Sequence, residues 1–154
     1  MEPPERGDVH TLVRTFDADD VDAFANVTGD DQDRHTSPDA EGRRLVQGLL
    51  TASLLTDVGG DLEMLARSME FHFLRPVYAG DTLRCRWRNE RVDERSGGWD
   101  VTARVTVERV AGEGFQGEPA DRRDDAGDAT GADRPAPGEG ETVLEATVEG
   151  IVRG

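Results

Sequence analysis

The spacing of apolar residues changes along the chain, and each change marks a predicted element. Residues 9–16 are predicted to form a first strand. Asp17 is a suitable N-cap, and Asp19 and Asp20 would lie in the first helical turn, where negative charge is favourable. The apolar positions of this helix follow the spacing i, i+3, i+4, i+7 and are Val21, Phe24, Ala25 and Thr28. Gly29 is the predicted end of the helix.

Residues 30–44 are polar and predict a loop, whereas residues 45–58 leave almost no polar stripe. A helix that is apolar on nearly all sides is a buried one. The second segment therefore predicts a buried central helix, and Gly59 and Gly60 are predicted to end it.

Beyond this helix the apolar residues recur with a period of two, which is typical of strands with one buried and one wet face. The predicted strands are residues 68–74, 82–90, 99–107 and 142–152. Ser96, Gly97 and Gly98 predict a hairpin between the second and third of these. Cys85 lies on an apolar face, so we expect a buried thiol.

The predicted fold class is therefore α+β, a single domain over residues 1–154 in which about five antiparallel strands wrap around a central apolar helix. This is the hot-dog architecture. One such sheet leaves a strand edge open, and open edges are commonly covered by a second subunit. We therefore expect a homodimer or a higher homo-oligomer.

Residues 112–141 interrupt this pattern with seven Gly, three Pro and nine acidic residues, and Phe115 is their one large apolar side chain. Such a composition does not offset the entropy of ordering the chain. We expect a solvated, flexible insertion at the surface of the domain.

The chain carries 33 acidic and 18 basic residues, a net charge of −15, and all of the basic residues are Arg. This balance argues against nucleic acid and anionic membranes as partners, and a lysine-free acidic surface suggests a halophilic protein. The sequence has no long apolar run and no signal peptide, so we expect a soluble cytoplasmic protein. With one Cys and three His, it shows no recognisable metal site.

Asp30 and His35 stand five residues apart in the polar segment that follows the first helix. A carboxylate and an imidazole in a loop can converge on one water molecule and perform general acid/base chemistry. Solvated loop residues would show the same spacing, so the pair by itself leaves both interpretations open.

Three segments of the sequence, taken in order, favour a catalytic role for this pair. Residues 28–35 read TGDDQDRH, residues 45–53 read LVQGLLTAS, and residues 73–81 read FLRPVYAGD. They resemble the T-G-D-x-N-P-x-H, V-H-G-M-L and F-x-R-P-V-x-x-G-D motifs of the MaoC-like (R)-specific enoyl-CoA hydratases. The resemblance covers roughly residues 12–110 and the last strand, and it implies the hot-dog fold.

The resemblance implies reversible hydration of a trans-2-enoyl-CoA without a metal or organic cofactor, since coenzyme A is part of the substrate. Asp30 and His35 would activate the water, and the backbone N–H of Gly48 would bind the thioester oxygen. A helix N-terminus suits that role because its N–H groups are free and partly positive. Gln32, Gln47 and Ser53 are possible supporting residues.

The chain departs from the family pattern at Gln32, Asp33 and Gln47, where the family usually has Asn, Pro and His. Two other functions therefore stay open. One is an acyl-CoA thioesterase, because the hot-dog fold serves both chemistries. The other is a non-catalytic acyl-CoA-binding subunit.

Other residues with chemical potential have simpler explanations. His10 and His72 fit ordinary strand positions. The basic stripe of Arg84, Arg86 and Arg88 fits either the phosphates of coenzyme A or a solvated sheet face.

The charge of −15 predicts a protein that salt stabilises. Repulsion between surface carboxylates is screened as the Debye length falls from about 10 Å in 0.1 M salt to about 3 Å in 1 M salt. The melting temperature should therefore rise steeply over this range of potassium chloride, as followed by circular dichroism. Equal melting temperatures at both ends of the range would contradict the halophilic interpretation.

Overall fold

The computed structural model describes residues 2–110 and 140–154. In chain order its elements are β1 (Val9–Thr15), α1 (Ala18–Thr28), α2 (Asp33–Thr36), α3 (Gly48–Ala52), α4 (Leu54–Asp61), β2 (Met64–Phe73), β3 (Thr82–Arg95), β4 (Gly98–Val110) and β5 (Glu141–Arg153). The predicted insertion, residues 112–141, lies outside the described residues except for Gly140 and Glu141, and Glu141 already belongs to β5.

One five-stranded antiparallel sheet, in the order β1-β3-β4-β5-β2, forms the body of the domain. One face of this sheet packs against α3 and α4, and the core lies between them. In β3 the buried residues alternate with partly exposed arginines as predicted, and they are Leu83, Cys85 and Trp87. The predicted α+β architecture, a sheet wrapped around a central helix, is confirmed.

The capping prediction for α1 is confirmed in detail. The Asp17 carboxylate accepts a hydrogen bond from the Asp20 N–H at 2.9 Å, and the Asp20 carboxylate accepts one from the Asp17 N–H at 3.0 Å. At the other end Gly29 adopts the left-handed conformation with φ 80°, which glycine tolerates without steric cost. The buried face is narrower than predicted, because Val21 and Ala25 are buried but Thr28 is exposed.

The central helix is shifted along the chain relative to the prediction of residues 45–58. It starts at Gly48 and ends at Asp61, in two segments joined at Ser53, whose backbone stays helical with φ −63° and ψ −16°. Leu45 instead forms an isolated bridge with Tyr78. The Leu45 N–H donates to the Arg34 oxygen and the Leu45 oxygen accepts from the His35 ring, so its backbone is satisfied outside the helix. Apolar composition alone therefore predicted the helix start too early.

Gly59 and Gly60 lie inside α4 and do not end the helix as predicted. Gly59 is buried, and a Cβ built on it would lie 4.0 Å from the Trp87 ring. Packing between helix and sheet thus outweighs the low helix propensity of glycine. The helix is also not buried on every side, since Leu49 is 60% exposed.

The prediction that β2 buries its apolar face is wrong for a single chain. Met69 is 39% exposed and Phe73 is 52% exposed. The physical reason is position, because β2 is the last strand of the sheet and, among the described residues, pairs with β5 alone. Leu65 is exposed as well, and so is Leu74, which directly follows the strand, so β2 carries several exposed apolar side chains along an open edge.

A charge pair joins the last residues of β4 to the first residue of β5. Arg109 of β4 donates to the carboxylate of Glu141, the residue opposite it in β5. This hydrogen bond, together with the charge of Arg109, holds the pKa of Glu141 below its ordinary value. The end of β4 and the start of β5 therefore lie side by side.

The expected burial of Cys85 is confirmed. Cys85 is a free, buried cysteine, and burial raises the pKa of its thiol to about 12, so it stays protonated at neutral pH. Within residues 2–110 and 140–154, no helix has the length and apolar character needed to cross a membrane.

Candidate active site

Asp30 and His35 are brought together by the chain reversal between α1 and α2. Gly29 ends α1, and the predicted loop contains the single turn α2, which carries His35. The His35 Nε2 atom lies 3.5 Å from the Asp30 Oδ2 atom. His35 is 5% exposed, whereas Asp30 is partly open to solvent. The pair thus joins a buried imidazole to a carboxylate that water can reach.

The protonation of the His35 ring follows from its other contact. Nδ1 lies 2.6 Å from the backbone oxygen of Leu45. A carbonyl oxygen only accepts hydrogen bonds, so Nδ1 must carry a proton. In the neutral ring the lone pair then lies on Nε2, the nitrogen that faces Asp30. This nitrogen is the one available to take a proton from a water molecule.

Gln32 holds the carboxylate of this pair. Its Nε2 atom donates to Asp30 Oδ1 at 2.7 Å, and the Asp30 N–H donates to the Thr28 hydroxyl at 3.3 Å. Gln32 thereby engages one oxygen and leaves Oδ2 directed at His35. Its longer side chain, compared with the family's usual Asn, is accommodated by reaching back to Asp30.

Arg44 supports His35 from the opposite side, a role for which the sequence offers no signal. Its Nε atom donates to the backbone oxygen of His35 at 2.8 Å, and its guanidinium also pairs with Asp22 of α1. Arg44 is largely buried. It therefore ties α1 and α2 together at the point where the pair is assembled.

Gly48 lies at the start of α3, on a cleft of 330 Å³. The cleft is lined mainly by apolar side chains, namely Leu45, Val46, Phe73, Leu74, Pro76, Val77 and Val143, together with Gly48, Thr51 and Arg75. A Cβ on Gly48 would lie 2.9 Å from the Phe73 ring, so a larger residue would displace that ring. Leu45 both accepts the His35 hydrogen bond and lines the cleft, so it lies between the two, and neither Asp30 nor His35 lines the cleft itself.

Of the three possible supporting residues, Gln32 alone has a hydrogen bond to the pair. The buried Gln47 donates from Nε2 to the backbone oxygen of Val21 at 3.1 Å and so ties α3 to α1. Among the described residues its Oε1 atom has no partner. Ser53 donates to the backbone oxygen of Leu50 within its own helix.

The remaining candidates lie elsewhere. Arg84, Arg86 and Arg88 alternate with the buried residues of β3, so they face away from α3 and α4, and Arg84 pairs with Glu108. His72 pairs with Glu70 on the exposed edge strand. His10 lines a separate cavity of 660 Å³ beyond the C-terminal end of α4. In the part of the chain that the structure describes, no three His, Cys, Asp or Glu side chains are grouped to hold a metal ion.

These observations define the protein as a hot-dog-fold domain with a His–Asp pair beside an apolar cleft. The thioesterase superfamily model matches residues 49–111, from α3 to the end of β4. That match does not include Asp30, His35 or Gly48. The sequence matches no curated protein.

Solved structures share this fold over nearly the whole chain. The (R)-hydratase of A. caviae involved in PHA biosynthesis has a TM-score of 0.69 at 20% identity, covering 97% of both chains. The unliganded R-hydratase PhaJ1 of Pseudomonas aeruginosa has a TM-score of 0.69 at 17% identity, covering 97% of this chain and 82% of that one. A MaoC-like dehydratase from Rhodospirillum rubrum has a TM-score of 0.63 at 16% identity, covering 97% and 93%. The hot-dog fold and the resemblance to MaoC-like proteins are thus confirmed, and identities this low establish the fold alone.

The contacts of Arg44 predict an unequal effect of two neighbouring substitutions. Arg44→Met removes a part-buried hydrogen bond to the His35 backbone and an ion pair with the more exposed Asp22, and it should cost about 1–3 kcal/mol of unfolding free energy. Arg43 is much more exposed, so Arg43→Met should cost clearly less. Urea unfolding of both variants measures the difference. Equal losses would show that Arg44 does not hold α1 and α2 together.

Proposed function

We propose that this protein is an enoyl-CoA hydratase that reversibly adds water to a trans-2-enoyl-CoA to form a 3-hydroxyacyl-CoA. The observation that carries this proposal is the His35 Nε2 atom, with its lone pair facing Asp30 Oδ2 at 3.5 Å beside an apolar cleft. The reaction needs no metal or organic cofactor, since coenzyme A belongs to the substrate.

In this proposal a water molecule contacts both Asp30 Oδ2 and His35 Nε2 from one side of the pair, because the 3.5 Å separation leaves no room between them. His35 takes one proton as the water oxygen bonds to C3 of the substrate, and Asp30 accepts a hydrogen bond from the remaining O–H. The electron pair of the double bond moves toward the thioester, whose oxygen becomes negative. The imidazolium then returns a proton to C2, which completes the addition of H and OH.

The negative charge on the thioester oxygen needs a donor placed in advance. Gly48 opens α3, so its N–H has no partner within the helix. In the proposal this N–H donates to the thioester oxygen, which is where charge develops as water adds. The apolar lining of the cleft suits the acyl chain and strengthens the hydrogen bond by excluding water.

A thioesterase is the second candidate, and the match of the thioesterase superfamily model over residues 49–111 favours it. Hydrolysis in this fold needs a carboxylate near the thioester carbon. The described residues that line the Gly48 cleft include no acid. Asp57 of α4 lines a different cavity, together with His10. Asp30 is instead held in a pair with His35, an arrangement suited to moving protons to and from one water molecule, and this pairing supports hydration.

The third candidate is a non-catalytic acyl-CoA-binding subunit. This interpretation is suggested by the departures from the family motif at Gln32, Asp33 and Gln47. Gln32 orients Asp30, and Gln47 braces α3 against α1. Both replacements thus have contacts compatible with a working site. The halophilic character and the cytoplasmic location expected from the sequence stay predictions.

We also propose a homodimer formed along β2. This strand has an open edge and exposes Leu65, Met69 and Phe73, and Leu74, which follows it, is exposed as well. Leu49 is exposed beside Gly48. Antiparallel pairing of two copies would satisfy the open backbone edge and cover this apolar surface. The strand also carries Arg67 and Glu70, so two antiparallel copies bring opposite charges within reach of each other.

The pair of Asp30 and His35 predicts the behaviour of three variants. Asp30→Asn and His35→Ala should each lower kcat for crotonyl-CoA by about 10²–10⁴-fold, because each removes a proton-transfer group. The double variant should be little worse than either single one, since the two residues act as a unit. The measurement is the loss of enoyl-thioester absorbance, with thiol release recorded in parallel.

His72→Ala is the matched control for this experiment, and it should stay within a few-fold of the wild type because His72 lies on the exposed edge strand. Release of free coenzyme A without hydration by the wild type would replace the hydratase assignment with the thioesterase one. Near-normal turnover by either single variant would remove the pair from the mechanism.

The dimer predicts that a charge in the middle of β2 separates the subunits. Met69→Glu should give a monomer in light scattering after gel filtration, because it places a charge in the covered surface. Val27→Glu puts the same charge on a more exposed apolar residue of α1, away from β2, and should leave the dimer intact. A wild-type protein that is monomeric at all concentrations tested contradicts the proposal.

A further inference from the structure

Thr51 lines the cleft and carries a hydroxyl group that has no role in the proposed mechanism so far. The residue is 3% exposed and lines the cleft together with Gly48, Phe73 and Val143. Apart from Thr51 and Arg75, the side chains that line this cleft are apolar. A hydroxyl in such surroundings has few protein atoms with which to form a hydrogen bond.

The Thr51 hydroxyl has no hydrogen-bond partner within the part of the chain that the structure describes. A threonine in a helix ordinarily donates to the carbonyl three or four residues before it. Thr28 does so in α1, donating to the Phe24 oxygen at 2.7 Å. Buried polar groups are nearly always hydrogen-bonded, so a polar atom that enters the cleft is a fitting partner for the Thr51 hydroxyl, which has none among the described residues.

The position of Thr51 on the helix narrows the identity of that partner. Thr51 follows Gly48 by three residues, so the two are neighbours on one face of the helix. Helical side chains lean toward the N-terminus, which directs the Thr51 side chain toward Gly48. One acceptor atom beside the Gly48 N–H is therefore within reach of the Thr51 hydroxyl.

We propose that Thr51 donates a hydrogen bond to the thioester oxygen of the substrate, as a second donor beside the Gly48 N–H. This inference rests on the proposed function. The acyl carbons have no acceptor atom, and in the proposed binding mode the polar groups of the coenzyme A arm stay toward solvent, away from a residue that is 3% exposed. The thioester oxygen is the acceptor of an enoyl-CoA that lies at the depth of Thr51.

The hydrogen bond strengthens during the reaction. As water adds to C3, the thioester oxygen gains negative charge, and a bond to a charged acceptor is shorter and stronger than one to a neutral carbonyl. Thr51 keeps its proton throughout, so no covalent step is added. The main effect of the hydroxyl is therefore expected in kcat.

The test compares Thr51→Val, which removes the hydroxyl at nearly constant shape, with Thr51→Ser, which keeps it. Hydration of crotonyl-CoA by Thr51→Val should show kcat lowered by about 10- to 100-fold with KM changed only a few-fold. Thr51→Ser should retain kcat within a few-fold. Thr106→Val on the outer face of β4 is the control for loss of a threonine hydroxyl.

Thermal unfolding separates this role from a structural one. Because the hydroxyl has no described partner, Thr51→Val should keep or raise the melting temperature while activity falls. Unchanged kcat in Thr51→Val overturns the inference, as does a lowered melting temperature with activity lost equally in Thr51→Ser.

Failure of the proposed function is seen separately, as absence of hydration by the wild type. Binding of butyryl-CoA, measured by calorimetry, then decides the inference on its own. Weaker binding to Thr51→Val than to the wild type and Thr51→Ser supports a bond to the thioester, and equal binding to all three overturns it.

Discussion

The hydrogen bond from the His35 ring to the Leu45 carbonyl is the contact on which the rest of the candidate site depends. It places the proton on Nδ1 and leaves Nε2 free to face Asp30. It also joins α2 to the residue that leads into α3 and lines the cleft. Without this contact, the carboxylate and the imidazole would be two neighbouring loop residues with no fixed relation to the helix start.

The candidate site combines polar groups from short connections with an apolar cleft built on the sheet. Gln32 and Arg44 hold the two members of the pair, and the central helix supplies Gly48 and Thr51. Precise placement of polar groups is worth most where water is excluded. The arrangement is suited to moving a proton at one position while an apolar chain is held beside it.

Phe73 links the cleft to the open edge of the sheet. Its ring lies so close to Gly48 that a Cβ there would be 2.9 Å away, yet Phe73 is 52% exposed at the end of β2. A second subunit that covers β2 would therefore also cover one wall of the cleft. In this fold, assembly and substrate binding are expected to depend on the same apolar surface.

Local patterns predicted much of this protein, because helix caps and strand alternation depend on residues a few positions apart. The cap at Asp17, the stop at Gly29 and the buried face of β3 all follow from such short-range chemistry. Motif resemblance pointed to Asp30, His35 and Gly48, whose roles stay proposals. Only the tertiary structure showed where the central helix begins, that β2 is an exposed edge, that Arg44 bonds to the His35 backbone and that Thr51 lines the cleft. These features depend on contacts between residues far apart in the chain, and no local period encodes such contacts.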